Sequence, residues 1–408
     1  MPRFEAVRGL PRVYWYLWAG QLINRIGGFV VPFLALYLKQ ELHRTDAETA
    51  LVVSLFGAGA LVASLIGGTL ADALGRRVTL LGGLVSSAVC MVGLGLAREL
   101  PVLGTLSFLI GLTTDTYRPA VSAIVADVLP PEDRLRAYAH LYWASNLGYS
   151  VATIVAGHVA MHGYFALFVA DAATTLGFAV VAALKIPETL PPTKTREPPS
   201  LTRTVRNITL AYRDPVFLAF LAVTFPLSLT FFQFQMALPA ELTAHGFTPA
   251  EYGDTMAING IMIVVLQPLA VSRLRRFRRS RALAVASLFV GLGFGLNAFA
   301  QLPWHFAVGV AIWTLGELSF APLASSVVAD LAPAEGRGRY QGAYFMVWAL
   351  ASVAAPLLGG AGREHLGSAF WLICLFGSLL IALGHIAIGP ARRARLAVLR
   401  GDPALATD

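Results

Sequence analysis

Charge is the first property that this sequence has little of. Only 13% of its 408 residues are Asp, Glu, Lys or Arg, and 56% are hydrophobic, whereas a soluble domain usually carries about 25% charged residues. Such a composition excludes a separate water-soluble domain of any size. Backbone groups in lipid must pair internally, so the long apolar stretches of this chain predict transmembrane helices.

Cysteine is equally scarce. The two cysteines, Cys90 and Cys374, fall inside apolar stretches, and this pattern excludes a disulfide framework and a cysteine metal site. The histidines form no catalytic constellation, because His158 and His162 are predicted near one membrane surface and His385 near the other. We therefore expect no enzymatic activity, no metal and no cofactor beyond a proton gradient.

Twelve apolar stretches are each long enough to cross roughly 30 Å of hydrocarbon as a helix. They cover residues 13–38, 48–72, 78–97, 101–127, 136–160, 163–185, 214–240, 250–272, 282–300, 304–330, 340–361 and 366–389. The first is longer than the apolar part of a signal peptide and contains Arg25, so we expect it to remain as the first span.

A polar, proline-rich segment at 186–212 divides the twelve stretches six and six. The predicted domains follow from this division. They are an N-terminal six-helix bundle at 1–185, a cytoplasmic linker at 186–212, a C-terminal six-helix bundle at 213–390 and a cytoplasmic tail at 391–408.

The net charge of +8 comes from an uneven distribution of basic residues. With the amino terminus inside, only Lys39, Arg44, Arg98 and Arg363 fall on outer segments. This bias is typical of a multi-pass protein of the inner (plasma) membrane with both termini in the cytoplasm. The arginines between 273 and 281 are interpreted as a topology anchor touching anionic lipid, and no nucleic-acid partner is expected.

The two halves of the chain share a sequence pattern with an offset of 203 positions. Residues that recur at this offset are Pro119 and Pro322, Ser122 and Ser325, Val125 and Val328, Ala126 and Ala329, Asp127 and Asp330, Pro130 and Pro333, and Gly157 and Gly360. So long a period in an apolar chain indicates two copies of one membrane-embedded unit, an architecture typical of secondary transporters.

Residues 68–77, GTLADALGRR, join the second and third stretches. They resemble the signature loop of the major facilitator superfamily, and the chain is most similar to its drug:proton antiporter branch through residues 24–32 and 115–119. The resemblance implies two pseudo-symmetric six-helix bundles and alternating access. It also implies a conformational latch, formed by Gly68, Asp72, Gly75, Arg76 and Arg77. Within this latch, Asp72 is expected to face 342–344, and Arg76 or Arg77 to pair with Asp127.

The antiporter signature of the fifth span is incomplete. Gly148 and Gly157 are present, but the Gly-Pro positions read Ala152-Thr153. A second resemblance is to proton-coupled peptide transporters, through Arg25 in the first span and Glu317 in the tenth. The expected function is therefore proton-coupled export of amphipathic molecules or drugs by antiport, and the alternative is proton-coupled import of a peptide-like or other polar solute.

Ionisable residues inside a bilayer are costly and mark functional sites. Those well inside the predicted spans are Arg25, Asp115, Arg118, Asp171 and Glu317. Asp115 and Glu317 are the predicted proton-coupling residues. Asp115 and Arg118 share a helix face and alternatively form a static pair. Glu317 is predicted to be a proton carrier, an ion-pair partner of Arg25 or a site for a cationic substrate, and alternatively a buried, hydrogen-bonded structural acid. Asp171 is expected to have a packing role, with its carboxylate bonded to neighbouring backbone or hydroxyl groups.

The remaining candidates are polar and aromatic. Residues predicted to contact substrate, in addition to Arg25 and Arg118, are Asn24, Tyr117, Gln233, Gln235 and Trp313. Gln233 and Gln235 alternatively satisfy contacts between helices, and each aromatic residue alternatively packs in a core. The expected partners are a small-molecule substrate, protons and membrane lipids, and the expected state is a monomer.

Overall fold

The computed structural model describes residues 10–190, 209–274, 278–333 and 337–400. Within these ranges the chain forms helices joined by turns and contains no β-strand. Parts of the predicted linker at 186–212, of the predicted arginine cluster and of the predicted tail at 391–408 lie outside the described residues.

The first half of the described chain contains seven helices. They are α1 (Arg12–Ile26), α2 (Val30–Leu36), α3 (Asp46–Leu74), α4 (Arg76–Leu96), α5 (Leu100–Val128), α6 (Pro131–Ala160) and α7 (Phe165–Lys185), and α2 continues as a turn of π-helix, Tyr37–Glu41. These helices form one compact unit, to which the segment Thr248–Gly260 also belongs. Within it α5 packs against α3 and α4, and α1 packs against α6 and α7.

The second half contains eight helices within its described residues. They are α8 (Pro215–Phe231), α9 (Ala237–Ala244), α10 (Pro249–Leu274), α11 (Arg279–Gly295), α12 (Pro303–Leu331), α13 (Arg337–Leu366), α14 (Phe370–Ala387) and α15 (Gly389–Arg400). Apart from the start of α10, they form the second unit. Here α11 packs against α12 and α14, and α8 packs against α13 and α14.

The 203-residue repeat of the sequence is also a repeat of helix starts. Helices begin at Arg12, Asp46, Arg76 and Leu100 in the first half, and at Pro215, Pro249, Arg279 and Pro303 in the second. Each start in the second half lies 203 positions after its counterpart. The two halves therefore agree in the spacing of their helix starts as well as in their apolar pattern.

Eight helical segments of the described chain are long and apolar enough to cross a membrane. They include Arg12–Glu41, which combines three consecutive elements, and Pro215–Gln235, which combines two. The fold is thus an all-helical, multi-pass membrane architecture, as predicted. The count of twelve spans stays a prediction.

Local sequence explains where several helices begin. At the start of α3, Thr45 Oγ1 accepts a hydrogen bond from the Glu48 backbone, and the Glu48 carboxylate accepts one from the Thr45 backbone. This reciprocal pair satisfies two donors that a helix start otherwise leaves free. Asp214 caps the start of α8, because its Oδ1 accepts hydrogen bonds from the backbone of Val216 and Phe217.

A buried polar cluster lies in the second unit, in a region that the sequence does not single out. The Glu241 side chain is 1% exposed. It pairs with Arg363 and accepts hydrogen bonds of 2.7 Å from both Ser368 Oγ and Trp371 Nε1. Such a carboxylate is stable in a buried position because its charge and its lone pairs are all matched, and it ties α9 to α13 and α14.

Candidate functional site

The first apolar stretch is interrupted in its middle. α1 ends at Ile26, α2 begins at Val30, and Gly27, Gly28 and Phe29 lie between them. A helix that starts inside a bilayer has backbone N–H groups without partners in its own helix. Here Asp171 of α7 supplies the partner, because its Oδ2 accepts hydrogen bonds from the backbone of Phe29 at 3.0 Å and of Val30 at 2.9 Å.

The seventh apolar stretch is interrupted at the corresponding position. α8 ends at Phe231, a turn of 3-10 helix covers Phe232–Gln235, and α9 starts at Ala237. Phe232 lies 203 positions after Phe29. The sequence predicts each of these stretches as one continuous helix. The structure corrects this prediction in both repeats, and the two interruptions overlap at Phe29 and Phe232.

A chain of buried side chains lies beside the first interruption. The Tyr117 hydroxyl donates to Asn24 Oδ1 at 3.0 Å, and Asn24 Nδ2 donates to Thr175 Oγ1 at 2.8 Å. Thr175 Oγ1 in turn donates to Asp171 Oδ1 at 3.4 Å. Three helices, α1, α5 and α7, are thereby joined through polar atoms. Asn24 and Tyr117 are buried, so both are held in fixed orientations.

Three further charges lie close to this chain. Arg118 Nε is 2.8 Å from Asp115 Oδ1, and the Arg118 side chain is 53% exposed whereas that of Asp115 is 21% exposed. Arg25, one residue after Asn24, is half-buried and lies within electrostatic range of Arg118, Asp115 and Asp171. The structure thus brings together four of the five ionisable residues that the sequence places inside spans.

Gly148 permits α6 to approach closely the end of α1, next to Arg25. A Cβ atom built on Gly148 would lie 2.9 Å from the backbone carbon of Arg25 and 3.1 Å from the nitrogen of Ile26. Real Cβ atoms do not come this close to a backbone. The glycine is therefore required for α6 to pack against α1 where α1 ends.

The candidates of the second unit have different surroundings. Gln233 is buried, and its Nε2 donates at 3.1 Å to the carbonyl oxygens of Leu229 and Ala355. Trp313 is 2% exposed and stacks on Phe294 with ring centres 4.1 Å apart. These two residues have packing roles in the unit, whereas Gln235 and Glu317 are half-buried. Contact of any of them with substrate, and the pairing of Glu317 with Arg25, stay predictions.

Residues 68–77, predicted as a loop, belong to the end of α3 and the start of α4 around Gly75, and Arg76 of this segment forms the predicted pair with Asp127. Arg76 Nε lies 3.4 Å from Asp127 Oδ2, and Arg76 Nη1 lies 2.6 Å from Asp72 Oδ1. Arg77 bonds to the carbonyl oxygen of Ala183, and Gly68 is exposed. The role of these residues as a latch, and the contact of Asp72 with 342–344, stay predictions.

Glu188 is a member of this loop region that sequence reasoning missed. Its two carboxylate oxygens accept hydrogen bonds from the backbone of Arg76 at 2.9 Å and of Arg77 at 3.2 Å, at the start of α4. Gly75 precedes this start with a φ of 108°, and a Cβ there would overlap Glu188. Burial raises the pKa of Glu188, but backbone hydrogen bonds from Leu190, Arg76 and Arg77 outweigh it and hold that pKa below its usual range.

The chain is similar in sequence to a known protein family and to individual known proteins. The model of a family described as the Major Facilitator Superfamily matches residues 17–244 and 228–404. A Na(+), Li(+), K(+)/H(+) antiporter of Planococcus maritimus is 25% identical over 358 residues, which cover 80% of this chain and 84% of that protein. The quinolone resistance protein NorA of Staphylococcus aureus is 30% identical over 133 residues, a third of each chain.

Among solved structures, a mutant of the peptide transporter POT in complex with alafosfalin superimposes on this chain with a TM-score of 0.82. The alignment covers 95% of this chain and 96% of that one, at 18% sequence identity. Identity at this level shows a shared fold.

Proposed function

This chain belongs to the major facilitator superfamily, and from that premise we propose that it is a proton-coupled antiporter that exports amphipathic small molecules by alternating access. It acts as a monomer in the inner (plasma) membrane, with both termini in the cytoplasm. The sequence similarity to a cation/proton antiporter and to a drug resistance protein supports this direction of transport.

The observation that carries the proposal is the pair of interrupted helices. In secondary transporters, discontinuous helices at corresponding positions of two repeats form the sites for substrate and coupling ions. Here the interruptions follow Ile26 and Phe231. A continuous helix would satisfy every backbone group within the hydrocarbon region, so each break has a cost that a binding site at this position explains.

Asp115 is the proposed proton carrier of the first repeat. Its Oδ1 lies 2.8 Å from Arg118 Nε, and a carboxylate paired with an arginine inside a span is the kind of group that carries protons in transporters. Two arginines then have alternative partners. Arg118, whose side chain is half-exposed, and the neighbouring Arg25 bind either an anionic group of the substrate or the Asp115 carboxylate.

Glu317 is the proposed proton carrier of the second repeat. It occupies the position that corresponds to Thr114, next to Asp115, at the 203-residue offset. The transporter has two conformations in equilibrium, one favoured by bound substrate and the other by a bound proton. The coupling between the two binding events is reciprocal. A proton gradient can therefore drive the substrate against its own gradient.

The test is substrate-triggered proton movement in proteoliposomes of the full chain. Wild type is compared with Asp115→Asn and Glu317→Gln, and Asp254→Asn at an exposed position of α10 is the control. The substrate panel contains lipophilic cations and short peptides. We expect cation-driven proton counterflow that either site variant reduces at least about tenfold and the control leaves unchanged. Proton flow in the same direction as a peptide would overturn antiport in favour of import.

A further inference from the structure

Arg392 is a buried cation at the start of the last helix, α15. It is 6% exposed. Its Nη2 donates to Ser280 Oγ at 2.7 Å and to the carbonyl oxygen of His385 at 3.2 Å, and its guanidinium carbon lies 5.6 Å from the ring centre of Phe220. Among the described residues none accepts a hydrogen bond from its other terminal nitrogen, Nη1.

Two carboxylates of the second unit pair with other arginines of this region. Asp330 pairs with Arg279, and Asp214 pairs with Arg395 at 3.2 Å. Within residues 209–274, 278–333 and 337–400, no carboxylate forms an ion pair with Arg392 or with its neighbour Arg393. A buried charge without a counter-ion is unfavourable, and an anion from outside the described residues would compensate it.

The side of Arg392 that contacts Ser280 is also the start of a long helix. Ser280 is the second residue of α11, which runs for 17 residues from Arg279. Backbone N–H groups in the first turn of a helix have no partners within it, and the helix dipole is positive there. Together these features suit an oxyanion such as phosphate.

Gly389 permits a close approach of α15 to Ser280 at this place. A Cβ on Gly389 would lie 2.6 Å from Ser280 Oγ and 3.6 Å from Arg393 Nη1. The Ser280 hydroxyl group and the Arg393 guanidinium group therefore both lie beside Gly389. Arg279–Phe299 is a candidate membrane span, so the start of α11 lies at the depth of lipid headgroups.

We propose that Ser280, Arg392, Arg393 and the start of α11 bind a phosphate group. Two guanidinium groups, one hydroxyl group and a helix start supply donors for its oxygens, and charge-assisted bonds of this kind are the strong ones. The phosphate belongs to an anionic lipid headgroup or is free in solution. The site lies entirely within the second unit and does not depend on the proposed direction of transport.

The first experiment measures lipid retention by native mass spectrometry. The full chain in a neutral detergent is given phosphatidylglycerol or phosphatidylcholine. Variants are Arg392→Gln, Arg393→Gln and Ser280→Ala. Arg12→Gln, at an exposed position of α1, is the control for total charge. Arg395→Gln, which breaks the pair with Asp214, is the control for loosening α15.

We expect wild type to retain phosphatidylglycerol, and the two site arginine variants to bind it about tenfold more weakly, with both controls close to wild type. Arg393 is half-buried, so Arg393→Gln is the informative variant if Arg392→Gln does not fold. Equal retention of the two lipids by wild type, or unchanged retention of phosphatidylglycerol by both arginine variants, would overturn a lipid site.

The second experiment identifies the source of the phosphate. The thermal midpoint of the same proteins is measured with inorganic phosphate against chloride at equal ionic strength. A rise in wild type that both arginine variants lose, together with displacement of phosphatidylglycerol, supports free phosphate as the ligand. Lipid retention that survives excess phosphate supports the headgroup. If neither probe depends on Arg392 or Arg393, the site does not exist.

Discussion

Asp171 Oδ2 lies 2.9 Å from the backbone nitrogen of Val30, and this contact joins the sixth apolar stretch to the interruption of the first. The sequence assigns Asp171 a packing role through bonds to backbone and hydroxyl groups, and the structure places it in contact with both. What the sequence does not indicate is that the backbone in question belongs to a broken helix.

Replacing Asp171 tests this contact. Asp171→Ala leaves the N–H groups of Phe29 and Val30 without their acceptor inside an apolar unit, and we expect it to lower the free energy of unfolding by about 2 kcal/mol or more. Asp171→Asn retains an acceptor oxygen and is expected to lose less. Thermal unfolding in detergent measures both variants, and Asp254→Ala at an exposed site is the control. Equal losses for Ala and Asn at position 171 would contradict the assigned contact.

Tyr117→Phe tests whether Asn24 acts as an oriented substrate ligand. The change removes one hydrogen bond to Asn24 Oδ1 and keeps the ring in place. We expect KM for the transported substrate to rise about fivefold, equivalent to about 1 kcal/mol, with little change in kcat. Tyr138→Phe is the matched control, because its hydroxyl group donates to the Ser122 carbonyl at an exposed position. An unchanged KM for Tyr117→Phe would remove Asn24 from the proposed site.

Glu188 predicts a pH dependence. Its pKa is lower in the folded protein than the ordinary value of 4.5, so the carboxylate stabilises the fold above that value, and this stabilisation is lost as the pH falls through the folded-state pKa. The difference in thermal midpoint between wild type and Glu188→Gln should therefore be largest near neutral pH and shrink below about pH 4.5. The exposed Glu99→Gln is the comparison, and a difference independent of pH would exclude the carboxylate as its cause.

Gly148→Ala tests the approach of α6 to α1. The added methyl group meets the backbone of Arg25 and Ile26, and forcing it into this space should cost about 1–3 kcal/mol of stability. Gly82→Ala is the control, since a Cβ there meets nothing within 4 Å and alanine favours a helix. We expect the two substitutions to shift the thermal midpoint in opposite directions. A neutral Gly148→Ala would mean that the two helices separate without cost.

Much of the fold follows from the sequence because its causes are local or periodic. Apolar stretches mark the helices, and the 203-residue offset predicts the positions at which they recur. The interruption at Gly27–Phe29 is different, since hydrophobicity continues across it. The signal that could have found it is the Gly27-Gly28 pair together with a buried acid, Asp171, far along the chain.

The candidate site follows from the sequence only in part, for a similar reason. Charged residues inside apolar stretches are conspicuous, so Arg25, Asp115 and Arg118 are found without a structure. Thr175 and Glu188 are ordinary residues in their local contexts. Their importance comes from partners more than a hundred positions away, and no single-sequence pattern specifies such a contact.

The pairing of Asp115 with Arg118 on one helix has an electrical consequence. The two opposite charges move together with α5, so displacing them across the membrane field does no net electrical work. Once a proton neutralises Asp115, the same helix carries the uncompensated charge of Arg118, and each 100 mV of membrane potential then acts on it with up to about 2.3 kcal/mol. A proton bound at this position would therefore couple the conformational equilibrium to the voltage as well as to the pH gradient.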